Sequence, residues 1–200
     1  MVDFHSKISI IIDGELRKSG NKEFAQRRNR LIKEEIVSYG VKTSEIRKII
    51  KKHWKKHQGL KATENCFKIA SELISTKVLD DQMAGIFLLG LSSKTFEIRD
   101  ISKLKKLIAR YIDNWATCDA ISSEVVANIF KGSPEKIEIL YIWAQSGNKW
   151  LRRIVLVTTV KLKNKIENWN KISSQLLSLF SEEEESIVKS AMRWLKKEID

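Results

Sequence analysis

The 200-residue chain is short of the residues that turn a backbone or staple a fold. It contains one proline, eight glycines, two cysteines and three histidines. One proline in 200 residues is far below the ordinary usage of about 5%. So few turn-formers exclude a sandwich or barrel of many short strands and favour helices joined by short polar links. Cys66 and Cys118 are too few and too far apart for a disulfide scaffold or a four-ligand zinc site; they fit buried thiols in a reducing cytosol. His5, His53 and His57 are the only histidines. His53 and His57 are four apart, as two helical metal ligands are. Lys51, Lys52, Lys55 and Lys56 surround them, however, and repel a divalent cation, so a solvated basic helix face is expected and no metal. Apolar runs such as Ile86-Phe87-Leu88-Leu89 fall well short of the roughly 20 residues a membrane span needs. The Ile8–Ile12 run, set among Asp3, Asp13 and Glu15, is no secretion signal. A soluble, cytoplasmic protein with no membrane partner is expected.

What is present is apolar and positively charged. With 42% apolar residues, six Trp and seven Phe, the chain can bury a core and is too hydrophobic for disorder. Its 37 Lys+Arg outnumber 25 Asp+Glu, a formal charge of +12. Residues 1–100 hold 20 basic and 13 acidic side chains, and residues 101–200 hold 17 and 12. The charge therefore belongs to the folded body rather than to a tail. It favours nucleic acid, another polyanion or an anionic membrane surface, and says nothing about fold. A Lys- and Ile-rich composition is also what an AT-rich genome produces.

Helical periodicity predicts helices over about 4–18, 22–38, 43–57, 63–75, 80–91, 101–113, 119–131, 135–145, 148–160, 164–178 and 182–198. Gly40 ends one of them, and the hydroxyls of Thr43-Ser44 offer a cap for the next. Ser133-Pro134 supplies a cap followed by proline at the first helical position. Ser181 and the run Glu182 to Glu185 place four acids on a helix N-terminus, where the dipole favours them. Helices this short, with tight links, suggest paired antiparallel helices stacked into an array. The clearest unit is Pro134–Val160, a helix, the link Gln145-Ser146-Gly147-Asn148, and a second helix with Arg152-Arg153 in its first turns. It looks like a HEAT-type repeat. Such stacks curve, and a basic concave face would seat a duplex.

No Gly-rich phosphate loop, nucleophile elbow or histidine triad is present, so any catalysis rests on carboxylates, aromatics and arginine. Three segments combine these types. They are Asn114-Trp115-xxx-Asp119, then Trp143-Ala144-x-Ser146-x-Asn148-x-Trp150-Leu151-Arg152-Arg153, then Ser190-Ala191-Met192-Arg193-Trp194. Together they resemble the AlkD-type DNA alkylation repair family, and Tyr39-Gly40-Val41-Lys42-Thr43-Ser44-Glu45 is similar to its N-terminal signature. The resemblance extends over most of residues 20–198. It implies an all-α domain of HEAT-like repeats over residues 1–200, curved into a solenoid with a basic concave face. The implied activity is that of a monofunctional DNA glycosylase that removes N3- or N7-alkylated purines from double-stranded DNA in base excision repair. No cofactor or metal is implied, and a monomer that follows DNA in a prokaryotic nucleoid is expected. Two departures stand out: Leu31 occupies a place where some relatives have Tyr, and relatives usually continue through another helical unit where this chain reaches Asp200.

By the same resemblance, Asp119 is the catalytic carboxylate, Trp115 and Trp194 are aromatic walls, and Arg153 holds the DNA backbone. Arg152, Lys189 and Arg193 are further candidates for DNA contact. The residue types suit the chemistry. Cleavage of the glycosidic bond builds positive charge on the deoxyribose, which a carboxylate stabilises. Indole faces attract a cationic base, and a guanidinium fits phosphate oxygens. Each residue also has a plainer reading. Asp119 is a helix cap, with Asp113 the competing carboxylate. Trp115 and Trp194 are core aromatics, as Trp143 and Trp150 are expected to be, and Arg153 ties one helical unit to its neighbour. At the level of the whole protein, the rivals are a non-catalytic binder of DNA structures and a basic helical scaffold for an acidic protein.

Overall fold

The computed structural model describes residues 4–32, 34–131 and 134–200. Among these the chain is all-α with no strand; one isolated bridge pairs Val37 with Val78. The helices gather into two compact units, Met1–Phe96 and Glu97–Asp200.

The first unit holds α1 (Phe4–Lys18), α2 (Lys22–Leu31), α3 (Thr43–Lys56), α4 (Thr63–Ser75) and α5 (Leu79–Ser92). Helix α5 is its centre, buried along most of its length and packed on α1, α3 and α4. A Cβ at Gly85 would stand 2.7 Å from the Ala70 carbonyl oxygen and 2.8 Å from Ile74 Cγ1. Glycine there lets α4 and α5 approach closely.

Helix α2 stops at Leu31, whereas periodicity predicts it to residue 38. The cause is Asp80, fully buried in the first turn of α5. Its carboxylate accepts the N–H groups of Tyr39 (2.7 Å) and Val41 (2.9 Å), the Ser38 hydroxyl (2.8 Å) and Arg28 Nη1 (2.6 Å). The Leu79 N–H donates to the Val37 carbonyl at 2.8 Å. These bonds satisfy residues 37–41 as extended chain, and a buried carboxylate outweighs a local preference for helix. Gly40 therefore ends no helix. It takes a φ of +78°, and a Cβ there would overlap the Asn21 carbonyl at 2.0 Å. Nor do the Thr43-Ser44 hydroxyls cap α3, whose N-cap is Lys42 without a side-chain bond.

His53 corrects a second expectation. It is buried rather than solvated, with Nε2 3.2 Å from the Glu15 carboxylate that α1 brings across to α3. Burial lowers its pKa, and the Glu15 charge opposes that shift.

The second unit holds α6 (Ile98–Tyr111), α7 (Trp115–Ile121), α8 (Ala127–Lys131), α9 (Glu138–Ala144), α10 (Lys149–Lys161), α11 (Trp169–Ser178) and α12 (Ser186–Ile199). Helix α10 is its buried centre and touches α6, α7, α9 and α12. The helix–link–helix pattern expected around residues 145–148 is present, with Asn148 capping α10. Its Oδ1 accepts the N–H groups of Trp150 (2.9 Å) and Leu151 (3.1 Å). The helix predicted over 119–131 begins earlier, at Trp115, and is interrupted by a π-helical turn, Ser122–Val126. The acids of 182–185 precede α12 instead of forming its first turn. Ser133, the other predicted cap, lies outside the described residues. Trp143 and Trp150 are buried packing residues, as expected.

Beside Asp80, the Asp81 carboxyl is also fully buried and receives the Thr76 hydroxyl at 3.1 Å. The Tyr39 hydroxyl bridges Asp81 and Asp13 of α1, at 3.4 and 2.7 Å, and Arg17 pairs with Asp13. Burial, and then the Asp13 charge, push the Asp81 pKa up to about 7 from 3.8. A raised pKa stabilises the fold fully below the unfolded value of 3.8, and that contribution is lost as pH rises through about 7. Asp81→Asn, neutral at every pH, should therefore gain on the wild type across that window by on the order of a few kcal/mol. Denaturation curves at several pH values check this; parallel pH dependence of the two proteins would contradict it.

Candidate active site

The site is built wholly within the second unit, from α7, α10 and α12. Asn114 is buried and caps α7, its Oδ1 accepting the Thr117 N–H at 3.0 Å. Because Asn114 does the capping, Asp119 in the body of α7 is not a cap and its carboxylate is left for other work. Trp115 and Asp119 are four residues apart and so project from one face of α7. Both are part-exposed. After Ile121 the helix widens into the π turn, where the Ser123 hydroxyl donates to the Asp119 carbonyl at 2.8 Å. Single π turns are commonly found where a helix carries function.

Arg153 comes from the buried side of α10. Its guanidinium grips Asp119 with two parallel bonds, Nε to Oδ1 at 2.8 Å and Nη2 to Oδ2 at 2.9 Å. Nη1 donates to the Ile187 carbonyl (2.6 Å) and the Ser190 hydroxyl (2.8 Å) in the first turns of α12. Four of the five guanidinium N–H groups are thus committed inside the protein. The Arg153 side chain is only 8% exposed, against 24% for Asp119. The pair is asymmetric: the cation is locked away and the anion faces partly outward.

This is the tie between neighbouring helices given above as the plainer reading of Arg153: its guanidinium fixes the Asp119 carboxylate and joins α7 to α12. Arg152 is likewise engaged. It forms its own fork with Glu183, Nε to Oε2 at 2.7 Å and Nη2 to Oε1 at 3.0 Å, and Nη1 reaches the Ser146 carbonyl at 2.9 Å. That pairing raises the Arg152 pKa and holds the Glu183 carboxyl below its usual value. Lys189 and Arg193, one turn apart on α12, are exposed. They remain the solvated cations of the expected set. A cleft of 730 Å³ beside Arg152 is lined by Glu182 to Glu185 and carries the wrong sign for a polyanion.

Trp194 lies one turn beyond Ser190, so the face of α12 that meets Arg153 also carries Trp194. The indole is part-exposed and tethered. Its N–H donates to Glu198 Oε1 at 3.3 Å, and Lys163 Nζ holds the other oxygen at 3.1 Å. The Lys161 ammonium sits 4.7 Å from the ring centroid. Neither tryptophan is a fully buried core aromatic.

A family model described as DNA alkylation repair enzyme matches residues 12–199. The chain belongs to the DNA alkylation repair enzyme family. Its role is therefore in the repair of alkylated DNA. A search of curated proteins finds no match. In this repair enzyme no described helix is long and apolar enough to cross a membrane. No group of three or more His, Cys, Asp or Glu among the described residues could hold a metal ion.

Reading the sequence missed several participants. Ser190 stands at the head of the quoted Ser190–Trp194 segment, and its spacing to Trp194 was the available signal. The Ile187 carbonyl, Glu183 and the π turn left no sequence signal, because each is defined by what another helix brings to it.

The clamp requires a fork. Arg153→Lys keeps the charge but cannot grip both carboxylate oxygens and α12 together. It should destabilise the protein by about 2 kcal/mol or more, measured by denaturant unfolding. Unchanged stability would show that the fork holds nothing together.

Proposed function

We propose that this enzyme is a monofunctional DNA glycosylase that excises N3- or N7-alkylated, positively charged purines from double-stranded DNA. The observation that carries the reading is the part-exposed Asp119 carboxylate, oriented by a buried arginine, with Trp115 one turn away on its own helix. Alkylation at N3 or N7 leaves the purine cationic, so the glycosidic bond is already weakened. When the C1′–N9 bond breaks, its electron pair departs with the base, which leaves neutral. Positive charge develops on the deoxyribose. Water adds to C1′ and releases a proton, giving an abasic site.

Asp119 serves this step as a fixed negative charge at the sugar face or as the acceptor that orients the attacking water. An ionised carboxylate has about four acceptor positions. The fork uses two, so the part-exposed side keeps acceptor capacity for water. Trp115 and Trp194 offer indole faces to the cationic base. Lys189 and Arg193 supply solvated charge for the DNA backbone and make binding salt-sensitive. Arg153 acts through Asp119.

The test is release of 7-methylguanine from methylated duplex by wild type and Asp119→Asn under single-turnover conditions. The variant should be slower by about 100-fold or more, with duplex affinity largely kept. An equal rate removes Asp119 from the chemistry. Salt-sensitive binding with no release by the wild type makes the protein a non-catalytic binder.

A further inference from the structure

The Trp194 indole is already occupied on one face. Lys161, the last residue of α10, places its ammonium 4.7 Å from the ring centroid. The ring cannot easily turn away, because its N–H is held by Glu198 and Glu198 is held by Lys163. Lys161 is itself only part-exposed. The chain's own cation therefore lies against an aromatic wall that the glycosylase reading assigns to a cationic base.

We propose that Lys161 is a specificity-determining residue, an internal cation that competes with the alkylated purine for the face of Trp194. This rests on the glycosylase reading. The physical argument is one of exchange. A neutral purine that displaces the ammonium gives up a cation–π contact and gains only stacking. A cationic purine replaces one cation–π contact with another, so displacement costs it little. Two positive charges cannot share the face without repulsion. Lys161 must therefore move away, and once displaced its charge is available to a phosphate oxygen. The resident ammonium thus offsets most of the advantage a cationic base draws from Trp194, while undamaged bases leave it in place.

The test compares wild type, Lys161→Met and Lys161→Arg, each with Trp194 present and as Trp194→Leu. Methionine keeps the apolar stem and removes the charge; arginine keeps a cation able to stack. The readout is the ratio of affinities for 7-methylguanine-containing and undamaged duplex at one salt concentration, which cancels the general loss of a positive charge. Lys161→Met should raise that ratio by about 2- to 10-fold, as expected for vacating one cation–π contact. Lys161→Arg should match the wild type, and the effect of methionine should vanish in Trp194→Leu. An unchanged or lower ratio in Lys161→Met overturns the proposal, as does a rise that persists without Trp194.

A second measurement is independent of catalysis. The indole N–H resonance of Trp194, assigned by its loss in Trp194→Leu, is followed while free 7-methylguanosine in its cationic form is added, with guanosine as the neutral control. The cationic nucleoside should shift this resonance at lower concentration in Lys161→Met than in wild type, and guanosine should shift neither. Equal concentrations for the two proteins overturn the competition. Should the wild type release no base, the glycosylase reading fails while the nucleoside titration still decides whether Lys161 guards the indole.

Discussion

A carboxylate can work on a developing cation only if it is held still and left partly open to the substrate side. The Asp119–Arg153 fork meets both demands. Two parallel bonds fix the plane of the carboxylate, and two more from the same guanidinium fix α12 against α10. The cation is the buried member of the pair, so its charge cannot wander to solvent. Breaking such a pair costs far more than its net worth, because the surviving partner is left without compensation. The rest of the site inherits its geometry from this one residue: Trp115 through α7, Trp194 through α12.

That arrangement separates two kinds of positive charge that composition alone merges. Arg152 and Arg153 are architectural, each committed in a fork to a carboxylate on another segment. Lys189 and Arg193 are solvated and suited to long-range attraction of a polyanion. Between them stands Lys161, half withdrawn and lying on an indole. A surplus of +12 therefore covers cations in at least three settings: forked to a carboxylate, laid on an indole, and solvated.

Much of this was legible in the chain because it is local. The helix–link–helix unit around residues 145–148 is in place, with Asn148 before the second helix as read. What was not legible depends on partners far apart in sequence. Residues 34–38 read as helix, but Asp80, some forty residues on, binds Ser38, Tyr39 and Val41 and holds that stretch out of the helix. His53 looked like part of a solvated basic face until Glu15 of α1 met it. Arg153 was expected at the DNA backbone from the family resemblance, with a tie between helical units as its plainer reading. Its fork on Asp119 depends on α7 and α12 arriving on either side, which no local pattern shows.

In the proposed reaction Arg153 acts through Asp119 rather than on the DNA directly. A double-mutant cycle on the single-turnover rate of 7-methylguanine release, using Asp119→Asn, Arg153→Met and the combination, tests it most directly. Strong non-additivity is expected: once Asp119 is lost, removing Arg153 should slow release by no more than about 2-fold further. Two independent losses that multiply in the double variant would contradict it, and would return Arg153 to the phosphate backbone.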